Sequence, residues 1–188
     1  MEIHQHFLLY KPYGYLSQFV NNQTKRRNKK LLGELYNFPE QTMAIGRLDE
    51  TSEGLLLLTT NGKTSEYIRS NKVEKEYYVQ VDGIISENAI KKLQNGVAIS
   101  TNEGLYLTKP CLATKLETPS LPERSKKVRD DRHGPTSWIS ITINEGKFRQ
   151  VRKMTAKVGF PTLRLVRVRI GNFNLNNIKL GEVIKIEI

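Results

Sequence analysis

Residues 46–54, which read GRLDETSEG, have types and spacing that could do chemistry. This polar, turn-forming segment lies between an apolar entry and a Leu-rich run, an arrangement by which a scaffold presents side chains at a cleft. Asp49 is the candidate catalytic residue within it. The alternative is an Asx-type turn, in which the Asp49 carboxylate accepts hydrogen bonds from the amides that follow it. Spacing alone does not decide between the two.

Other kinds of catalytic site have weaker support. His4 and His6 lie two residues apart with no cysteine or third histidine nearby, and His133 stands alone in a charged stretch, so we expect no metal site. Cys111 is the single cysteine and has no histidine near it, so we expect a buried side chain rather than a nucleophile. Neither glycine-rich phosphate-binding motif is present, which excludes the ATP and NAD sites built on them. The sequence therefore predicts neither of these two cofactors.

Composition indicates a protein with an anionic partner. The 188 residues contain 30 Lys and Arg against 19 Asp and Glu, a formal net charge of +11. The apolar share of 38% and the charged share of 26% are those of a soluble globular protein. The longest apolar run, residues 55–58, is far shorter than the roughly 20 residues that a membrane-spanning helix needs. With no secretory signal visible, we expect no membrane partner and a cytoplasmic location.

Two helices are expected to position the polar groups. Apolar side chains recur every three or four residues across 147–158, beginning with Phe148, and Gly159 follows where a helix-ending glycine belongs. A second helix is predicted at 86–95, with Ser86 as its cap. The cations of the first helix lie off its apolar stripe, on a side that could face a phosphate backbone: Arg149, Arg152, Lys153 and Lys157.

The rest of the sequence is rich in strands. Alternating apolar and polar residues, or a continuous apolar pattern, predict strands at 75–81, 138–143, 163–170 and 184–188. We expect one buried face on each alternating strand. A Leu-rich strand at 55–60 ends at Asn61-Gly62, a strong turn signal. Long strand runs joined by few helices favour an α+β sheet protein.

Positive charge is concentrated in three stretches. Residues 21–30 carry five cations without an anion or an apolar side chain, and residues 118–135 carry three prolines in a mixed-charge run. We expect both to be loops, the first of them mobile. The third stretch, 145–169, holds eight cations against one acid and is periodic, so we expect it to be folded.

Four sequence motifs together span nearly the whole chain. They read KPYG at 11–14, GRLDETSEGLLLLTTNG at 46–62, KEYYVQVDG at 75–83, and EGKFRQVRKM at 145–154, the last followed by Gly159 and LVR at 165–167. In order and kind they resemble the motifs of the RsuA family of pseudouridine synthases. The second is similar to the catalytic signature of that family. Ser52 stands where threonine is commoner, a departure that we expect to leave the chemistry untouched.

The resemblance implies the α+β pseudouridine synthase fold: a central, mostly antiparallel mixed sheet flanked by a few helices, with the active-site cleft across the sheet. It also implies one catalytic domain over residues 1–188, with two subdomains around that sheet. Many members carry an N-terminal domain of the ribosomal-protein S4 kind, for which the first motif, at residue 11, leaves no room. The chain is thus similar to the short E-type branch, which acts on large-subunit (23S) ribosomal RNA.

The reaction implied by the resemblance is isomerisation of uridine in RNA, without a metal or a cofactor. Asp49 is then the nucleophile, either adding covalently to the sugar or base or assisting formation of a glycal, and Arg152 is its partner cation. Tyr77 would stack on the uracil and help to remove the C5 proton. Two alternatives remain open: Arg152 as a phosphate contact, and Tyr77 as a core side chain of its strand.

The partner implied by charge and resemblance is ribosomal RNA, protein-free or at an early stage of assembly, bound by a monomer. Flipping the target base out of its stack costs a few kcal/mol, which contacts to the RNA must offset. We expect these contacts from Lys11, Lys25, Arg26, Arg27, Arg47, Lys75, Arg149, Gln150, Lys153 and Arg167. Two other functions stay open: a non-catalytic RNA-binding assembly factor with this fold, and the same chemistry on small-subunit ribosomal RNA or transfer RNA.

Overall fold

A mixed β-sheet forms the centre of the chain. The computed structural model describes residues 4–21, 28–70 and 73–188. Its strands in chain order are β1 (His6–Lys11), β2 (Met43–Ala44), β3 (Glu53–Thr59), β4 (Lys75–Asp82), β5 (Ala98–Thr101), β6 (Gly104–Leu107), β7 (Leu112–Leu116), β8 (Thr136–Ile143), β9 (Thr162–Ile170), β10 (Phe173–Asn174) and β11 (Val183–Ile186). Its helices are α1 (Gly62–Arg69), α2 (Glu87–Asn95) and α3 (Gln150–Lys157), with short 3-10 turns at Leu32–Glu34 and Asp131–His133. The predicted α+β class is confirmed.

The sheet consists of two antiparallel halves joined by one parallel pairing. The strand order is β11-β1-β3-β9-β4-β8-β7, with β2 paired to β3 and β10 paired to β9, while β5 and β6 pair separately. Between β3 and β9 the chain runs parallel, and the two strands pair only at Glu53 with Val166 and at Gly54 with Arg167. We call this short parallel pairing the seam. The mostly antiparallel mixed sheet implied by the resemblance is therefore confirmed.

Each half of the sheet has its own apolar core. Alternate residues of β1 and β3 enter two clusters on opposite faces, one with Leu8, Leu55 and Leu57 and the other with Phe7, Leu9, Leu56 and Leu58. Across the seam, side chains of β4 and β8 pack with Leu93 of α2 and Met154 of α3. Because every residue of β3 is buried, this strand is a firm base for the loop that precedes it, which carries Asp49.

Side-chain caps explain where α1 and α2 begin. Ser86 caps α2 as predicted, its hydroxyl accepting a hydrogen bond from the Ala89 amide at 3.2 Å. Asn61 caps α1 in the same way, its side-chain oxygen accepting from the amides of Lys63 and Thr64. The turn predicted at Asn61-Gly62 is therefore wrong, because an asparagine that favours a hairpin turn also favours a helix start. None of the described helices is long and apolar enough to cross a membrane.

The predicted strands are confirmed to within two residues at each end, but the burial of β8 differs from the prediction. Ser140 and Thr142 lie on its polar face, and each is only 8% exposed. The Ser140 hydroxyl donates to Glu76 at 2.9 Å, and the same carboxylate accepts from Arg169 at 3.0 Å. Both faces of β8 are thus covered, one of them by polar groups that satisfy each other.

The predicted loop at 118–135 is irregular apart from its 3-10 turn, yet it is packed against the body of the protein. The Arg164 guanidinium donates to the Pro122 carbonyl at 2.7 Å. The Arg124 guanidinium lies 4.6 Å from the centre of the Tyr13 ring, within cation–π distance. This loop therefore crosses from the end of β7 to the N-terminal segment that borders the Asp49 loop.

Gly54 lies at the seam, where a side chain has no room. Its φ is +113°, and a Cβ atom there would lie 2.2 Å from the carbonyl oxygen of Arg167. We expect Gly54→Ala to lower the free energy of unfolding by about 3 kcal/mol or more, because the clash is with backbone and alanine is strained at this φ. Urea denaturation measures the change.

Gly62→Ala is the matched control for this prediction. Gly62 begins α1, and a Cβ atom there would meet nothing within 4 Å. Since alanine favours a helix over glycine by about 1 kcal/mol, this variant should be as stable as the wild type or slightly more so. Equal stability of the Gly54 and Gly62 variants would contradict the close approach of β3 to β9.

Candidate active site

An open cleft lies beside the seam, between the loop that precedes β3 and the turn that precedes α3. The loop contributes Asp49, β4 contributes Tyr77, α3 contributes Arg152 and β9 contributes Arg167. These groups come from both halves of the sheet. The three residues predicted to be catalytic therefore line one cleft.

Hydrogen bonds from an N-terminal segment hold the Asp49 loop in place. The Ser17 hydroxyl donates to the Leu48 carbonyl at 2.8 Å and accepts from the Leu48 amide at 3.0 Å. On the other side of Asp49, the Gly14 amide donates to the Glu50 carbonyl at 2.8 Å. Both neighbours of Asp49 are thus fixed through the backbone, and its side chain is the group that the loop presents to the cleft.

The Asp49 carboxylate faces two guanidinium groups. Its Oδ2 atom lies 3.2 Å from Nη1 of Arg149 and 3.5 Å from Nε of Arg152, and its side chain is 23% exposed. The turn that follows uses the backbone instead, since the Ser52 amide donates to the Asp49 carbonyl at 3.0 Å. The Asx-turn interpretation is therefore wrong. An acid that is accessible and not held by neighbouring amides is available to a substrate.

Arg152 is bound to the Asp49 loop at several atoms. Its Nη2 donates to the Thr51 carbonyl and to the Ser52 hydroxyl, each at 3.1 Å. Ser52 is 1% exposed, and because threonine carries the same hydroxyl, the contact with Arg152 is compatible with the expectation that serine at this position leaves the chemistry untouched. Burial lowers the pKa of Arg152, and the nearby Asp49 charge opposes that shift. The geometry favours a partner cation over a phosphate contact.

The helix that carries Arg152 begins three residues later than predicted. Arg149 has φ 53° and ψ 33°, in the left-handed region, and the first helical residue is Gln150. The Gln150 side chain donates to Glu145 at 2.6 Å and accepts from the Lys147 amide at 2.9 Å. At 3% exposure, Gln150 closes this turn from the inside, and it also lines the cleft, so the RNA contact predicted for it stays a prediction.

Tyr77 and Arg167 are register partners across β4 and β9, and both line the cleft. Tyr77 also packs into the core of its half of the sheet, so its position is compatible with both predicted roles. The Arg167 Nε donates to the Leu55 carbonyl at 2.8 Å, while its Nη2 is buried with no hydrogen-bond partner in the described part of the chain. An unpaired buried donor costs about 1–3 kcal/mol, which a ligand in the cleft would recover.

Lys11 is buried and is not presented to RNA. Its ammonium donates to the carbonyls of Pro12 and Tyr15 at 2.9 and 2.7 Å, and the residue has no exposed surface. Burial lowers the pKa of Lys11 to about 7, and nearby carboxylates, Glu53 first among them, oppose that shift. The predicted RNA contact is wrong, because the ammonium is used inside the protein. Its hydrogen bonds to these two carbonyls stabilise the N-terminal segment that supports the Asp49 loop.

The other predicted RNA contacts are divided between the cleft and its surroundings. Arg47 is exposed and lines the cleft, as does Lys75, whose pKa is lowered by burial and by the nearby Arg167 charge. Lys153 lies outside the cleft lining and donates to the Ser100 carbonyl at 2.7 Å. Three predicted contacts lie outside the described residues: Lys25, Arg26 and Arg27.

Two cations that the sequence analysis did not single out also line the cleft, Arg69 and Lys147. Arg69 lies in the last turn of α1, a helix that the sequence analysis did not predict. Interpreting Asn61 as a helix cap places Arg69 two turns into a helix that follows the Leu-rich strand. The capping pattern was therefore the available sequence evidence for Arg69.

The residues considered for metal or thiol chemistry lie elsewhere. No group of three or more His, Cys, Asp or Glu side chains in 4–21, 28–70 and 73–188 is arranged to hold a metal ion. The Cys111 thiol donates to the Leu93 carbonyl at 3.2 Å, and burial raises its pKa to about 11. A thiol with so high a pKa is a poor nucleophile at neutral pH, so Cys111 is a packing residue as predicted.

Sequence comparison gives a family and named relatives. Residues 5–157 match the family described as RNA pseudouridylate synthase. A ribosomal large subunit pseudouridine synthase E from Xanthomonas campestris is 43% identical, over 93% of this chain and 91% of the relative. The synthase E of Vibrio parahaemolyticus is 40% identical, over 92% of this chain and 69% of the relative. A synthase B from Bacillus subtilis is 30% identical, over 94% of this chain and 66% of the relative.

Solved structures share the fold. A crystal structure of a pseudouridylate synthase matches with a TM-score of 0.76 and 26% identity, over 100% of this chain and 72% of that one. A Cbf5-Nop10-Gar1 complex matches with a TM-score of 0.58 over 89% of this chain and 50% of that one. At 14% identity, this second likeness concerns the fold alone.

Proposed function

Because the chain belongs to the RNA pseudouridylate synthase family, we propose that it isomerises uridine to pseudouridine in large-subunit ribosomal RNA, with Asp49 as the nucleophile. The chain is an RNA pseudouridine synthase by its family and its relatives. The observation that carries the assignment of Asp49 is an accessible carboxylate facing two guanidinium groups in a cleft. A non-catalytic RNA-binding module has no need of such an acid.

The reaction breaks one bond to carbon, forms another and moves a proton. The C1′–N1 bond of uridine breaks, the uracil turns within the cleft, and C5 bonds to C1′. The C5 proton then leaves and N1 gains a proton, so that substrate and product are isomers. Uracil departs as a stabilised anion that stays bound, so one carboxylate suffices where hydrolytic glycosidases use two.

Asp49 acts in this proposal by adding to the sugar or base, or by assisting formation of a glycal. Its distances to Arg149 and Arg152, 3.2 and 3.5 Å, are long for charge-assisted hydrogen bonds. The Nε of Arg152 is buried and has no hydrogen-bond partner among the described residues. Substrate binding can therefore shorten the contact between Asp49 and Arg152, because both groups have unused hydrogen-bonding capacity.

We assign the uracil to the space beside Tyr77 and Arg167. An aromatic face stacks on a base, and the Tyr77 hydroxyl would assist removal of the C5 proton. The buried, unpaired Nη2 of Arg167 is a donor that a uracil carbonyl oxygen would satisfy. This assignment gives Arg167, expected from the sequence to contact RNA, a specific part of the nucleotide to bind.

Cations around the cleft would bind the RNA backbone and offset the cost of flipping the base. Those in the cleft lining are Arg47, Arg69, Lys75, Lys147 and Arg149. We propose that the protein binds the RNA as a monomer. Relatives named for the ribosomal large subunit support that target. We further propose that the RNA is bound in the cytoplasm, protein-free or at an early stage of assembly.

Tritium release from RNA labelled at uracil C5 tests the proposed function, since the C5–H bond must break. The purified protein is incubated with protein-free large-subunit ribosomal RNA, without added cofactor and with a chelator present. We expect release in a fixed ratio to the RNA, one tritium for each pseudouridine formed. Release from small-subunit or transfer RNA alone would reassign the target, and no release from any of the three would favour a non-catalytic assembly factor.

A further inference from the structure

The turn between β8 and α3 exposes a large aromatic side chain to solvent. Phe148, in the middle of this turn, is 69% exposed, although the sequence pattern predicts it on the buried stripe of the helix. It is exposed because the helix begins only at Gln150, two residues later. Leaving a phenylalanine side chain in water forgoes about 1.5–3 kcal/mol of the stabilisation that burial would give. Because both neighbours of Phe148 in the sequence line the cleft, the ring is placed where a bound ligand could cover it.

The turn is rigid although its aromatic residue is exposed. The Glu145 carboxylate accepts from the Tyr106 hydroxyl at 2.5 Å and from the Lys109 amide at 3.0 Å, besides the Gln150 contact described above. Arg149, directly after Phe148, is held at a positive φ that non-glycine residues rarely adopt. A backbone fixed from the inside presents the Phe148 ring in one place, which favours recognition over disorder.

One cation lies over the Phe148 ring, and two more flank Phe148 in the sequence. The Lys153 ammonium lies 5.4 Å from its centre, and Lys147 and Arg149, its two neighbours in sequence, line the cleft. An exposed aromatic ring among Lys and Arg is the arrangement by which proteins hold single-stranded nucleic acid, with bases stacked on the ring and phosphates on the cations. Arg149, the residue after Phe148, contacts Asp49, the proposed nucleophile, so a base stacked on the ring would lie near the reacting nucleotide.

We propose that Phe148 stacks on a base that flanks the flipped uridine and thereby stabilises the flipped state. This inference rests on the proposed function and names a contact outside the reacting nucleotide. Phe148 is a substrate-binding residue in this role, and it takes no part in breaking or forming bonds. Because stacking tolerates any base, Phe148 contributes affinity and not sequence selectivity.

Two measurements on Phe148→Ala test the stacking contact. The first is the dissociation constant for a fluorescein-labelled RNA of about 12 nucleotides, adenosines around one uridine, measured by anisotropy. The second is kcat/KM for tritium release from C5-labelled large-subunit ribosomal RNA. We expect Phe148→Ala to weaken binding by about 5- to 150-fold, the range for loss of one stacked base, and to lower kcat/KM to a similar degree. Phe148→Trp, which keeps an aromatic face, should stay within about threefold of wild type in both.

Control variants separate stacking from charge and from folding. Tyr67, an aromatic residue on α1 that is 62% exposed and lies outside the cleft lining, is the matched control, and Tyr67→Ala should leave both measurements unchanged. Lys153→Gln should reduce the salt dependence of binding by about one phosphate, whereas Phe148→Ala should leave the salt dependence as in wild type. The thermal midpoint of Phe148→Ala should match wild type, since the ring is exposed.

The outcomes distinguish this inference from the proposed function. Wild-type affinity and turnover in Phe148→Ala would overturn the stacking contact while leaving uridine isomerisation intact. Equal losses in Phe148→Ala and Phe148→Trp would also overturn it. A stacking contact should survive replacement by another aromatic ring, so equal losses would indicate a structural role for Phe148. Binding that depends on Phe148 in a protein that releases no tritium would support the stacking contact and remove the proposed chemistry.

Discussion

Asp49→Asn is expected to lower the rate of tritium release from C5-labelled RNA by at least about 10⁴-fold, as when a nucleophile is removed from other enzymes. The amide has nearly the shape of the carboxylate and fits the same space, but it lacks the charge and the nucleophilicity that the reaction requires. Single-turnover rates with the enzyme in excess isolate the chemical step from product release.

The RNA affinity of Asp49→Asn should stay within about threefold of wild type, because RNA affinity comes mainly from cations that bind phosphates. Glu50→Gln is the matched control for charge at this loop. Glu50 pairs with Lys29 at 2.6 Å and does not line the cleft, so its variant should keep nearly the wild-type rate. Full turnover by Asp49→Asn would refute its role as the nucleophile.

Arg152→Lys should lower kcat by about 10²-fold or more, the cost of removing one fixed donor from an active site. Arg152 reaches Asp49 through Nε and the Thr51 carbonyl and Ser52 hydroxyl through Nη2. A lysine has one ammonium on a flexible stem and cannot make these contacts together. Steady-state kinetics at saturating RNA measure the loss as a change in kcat.

Arg149→Lys is the comparison for this second prediction. Arg149 contacts the same carboxylate, but its side chain is 42% exposed, so its pairing is worth little and the variant should lose no more than about fivefold. If Arg152 instead bound a phosphate, its lysine variant would keep kcat, and its loss would appear in KM and shrink at low salt. That pattern would show that Arg152 contacts an RNA phosphate and is not the partner cation of Asp49.

Much of the fold and the central site could be predicted from the sequence, because the evidence there is local. Alternation along β4 and β8 gives the strands, and the polar segment before a Leu-rich strand marks Asp49. The partnership of Asp49 with Arg152 joins residues far apart in the chain, and it followed from resemblance and not from spacing. The structure supplies its physical basis in the shared contacts around Ser52.

The errors arise where one residue type serves two structures or where tertiary packing decides. Asn61 is favoured both in a hairpin turn and as a helix cap. Because it was interpreted as a turn residue, neither α1 nor Arg69 was predicted. Lys11 looked like a surface cation, but carbonyls of its own segment bind its ammonium inside the protein. Phe148 fits a helical stripe that the left-handed Arg149 interrupts, and periodicity does not reveal such a backbone change.

The seam has a consequence for how the protein and its substrate stabilise each other. Asp49 belongs to the half of the sheet that contains β3, whereas Tyr77, Arg152 and Arg167 belong to the half that contains β9. The backbone pairing between the halves consists of two residue pairs, supplemented by side-chain contacts such as that of Arg167 with the Leu55 carbonyl. Any local opening at the seam separates the nucleophile from its partners. RNA that touches both sides of the cleft binds only the closed protein, so by mass action it raises the free energy of that opening. The bound RNA strand then links the two halves of the sheet, and the free energy of opening at the seam is highest while substrate is bound.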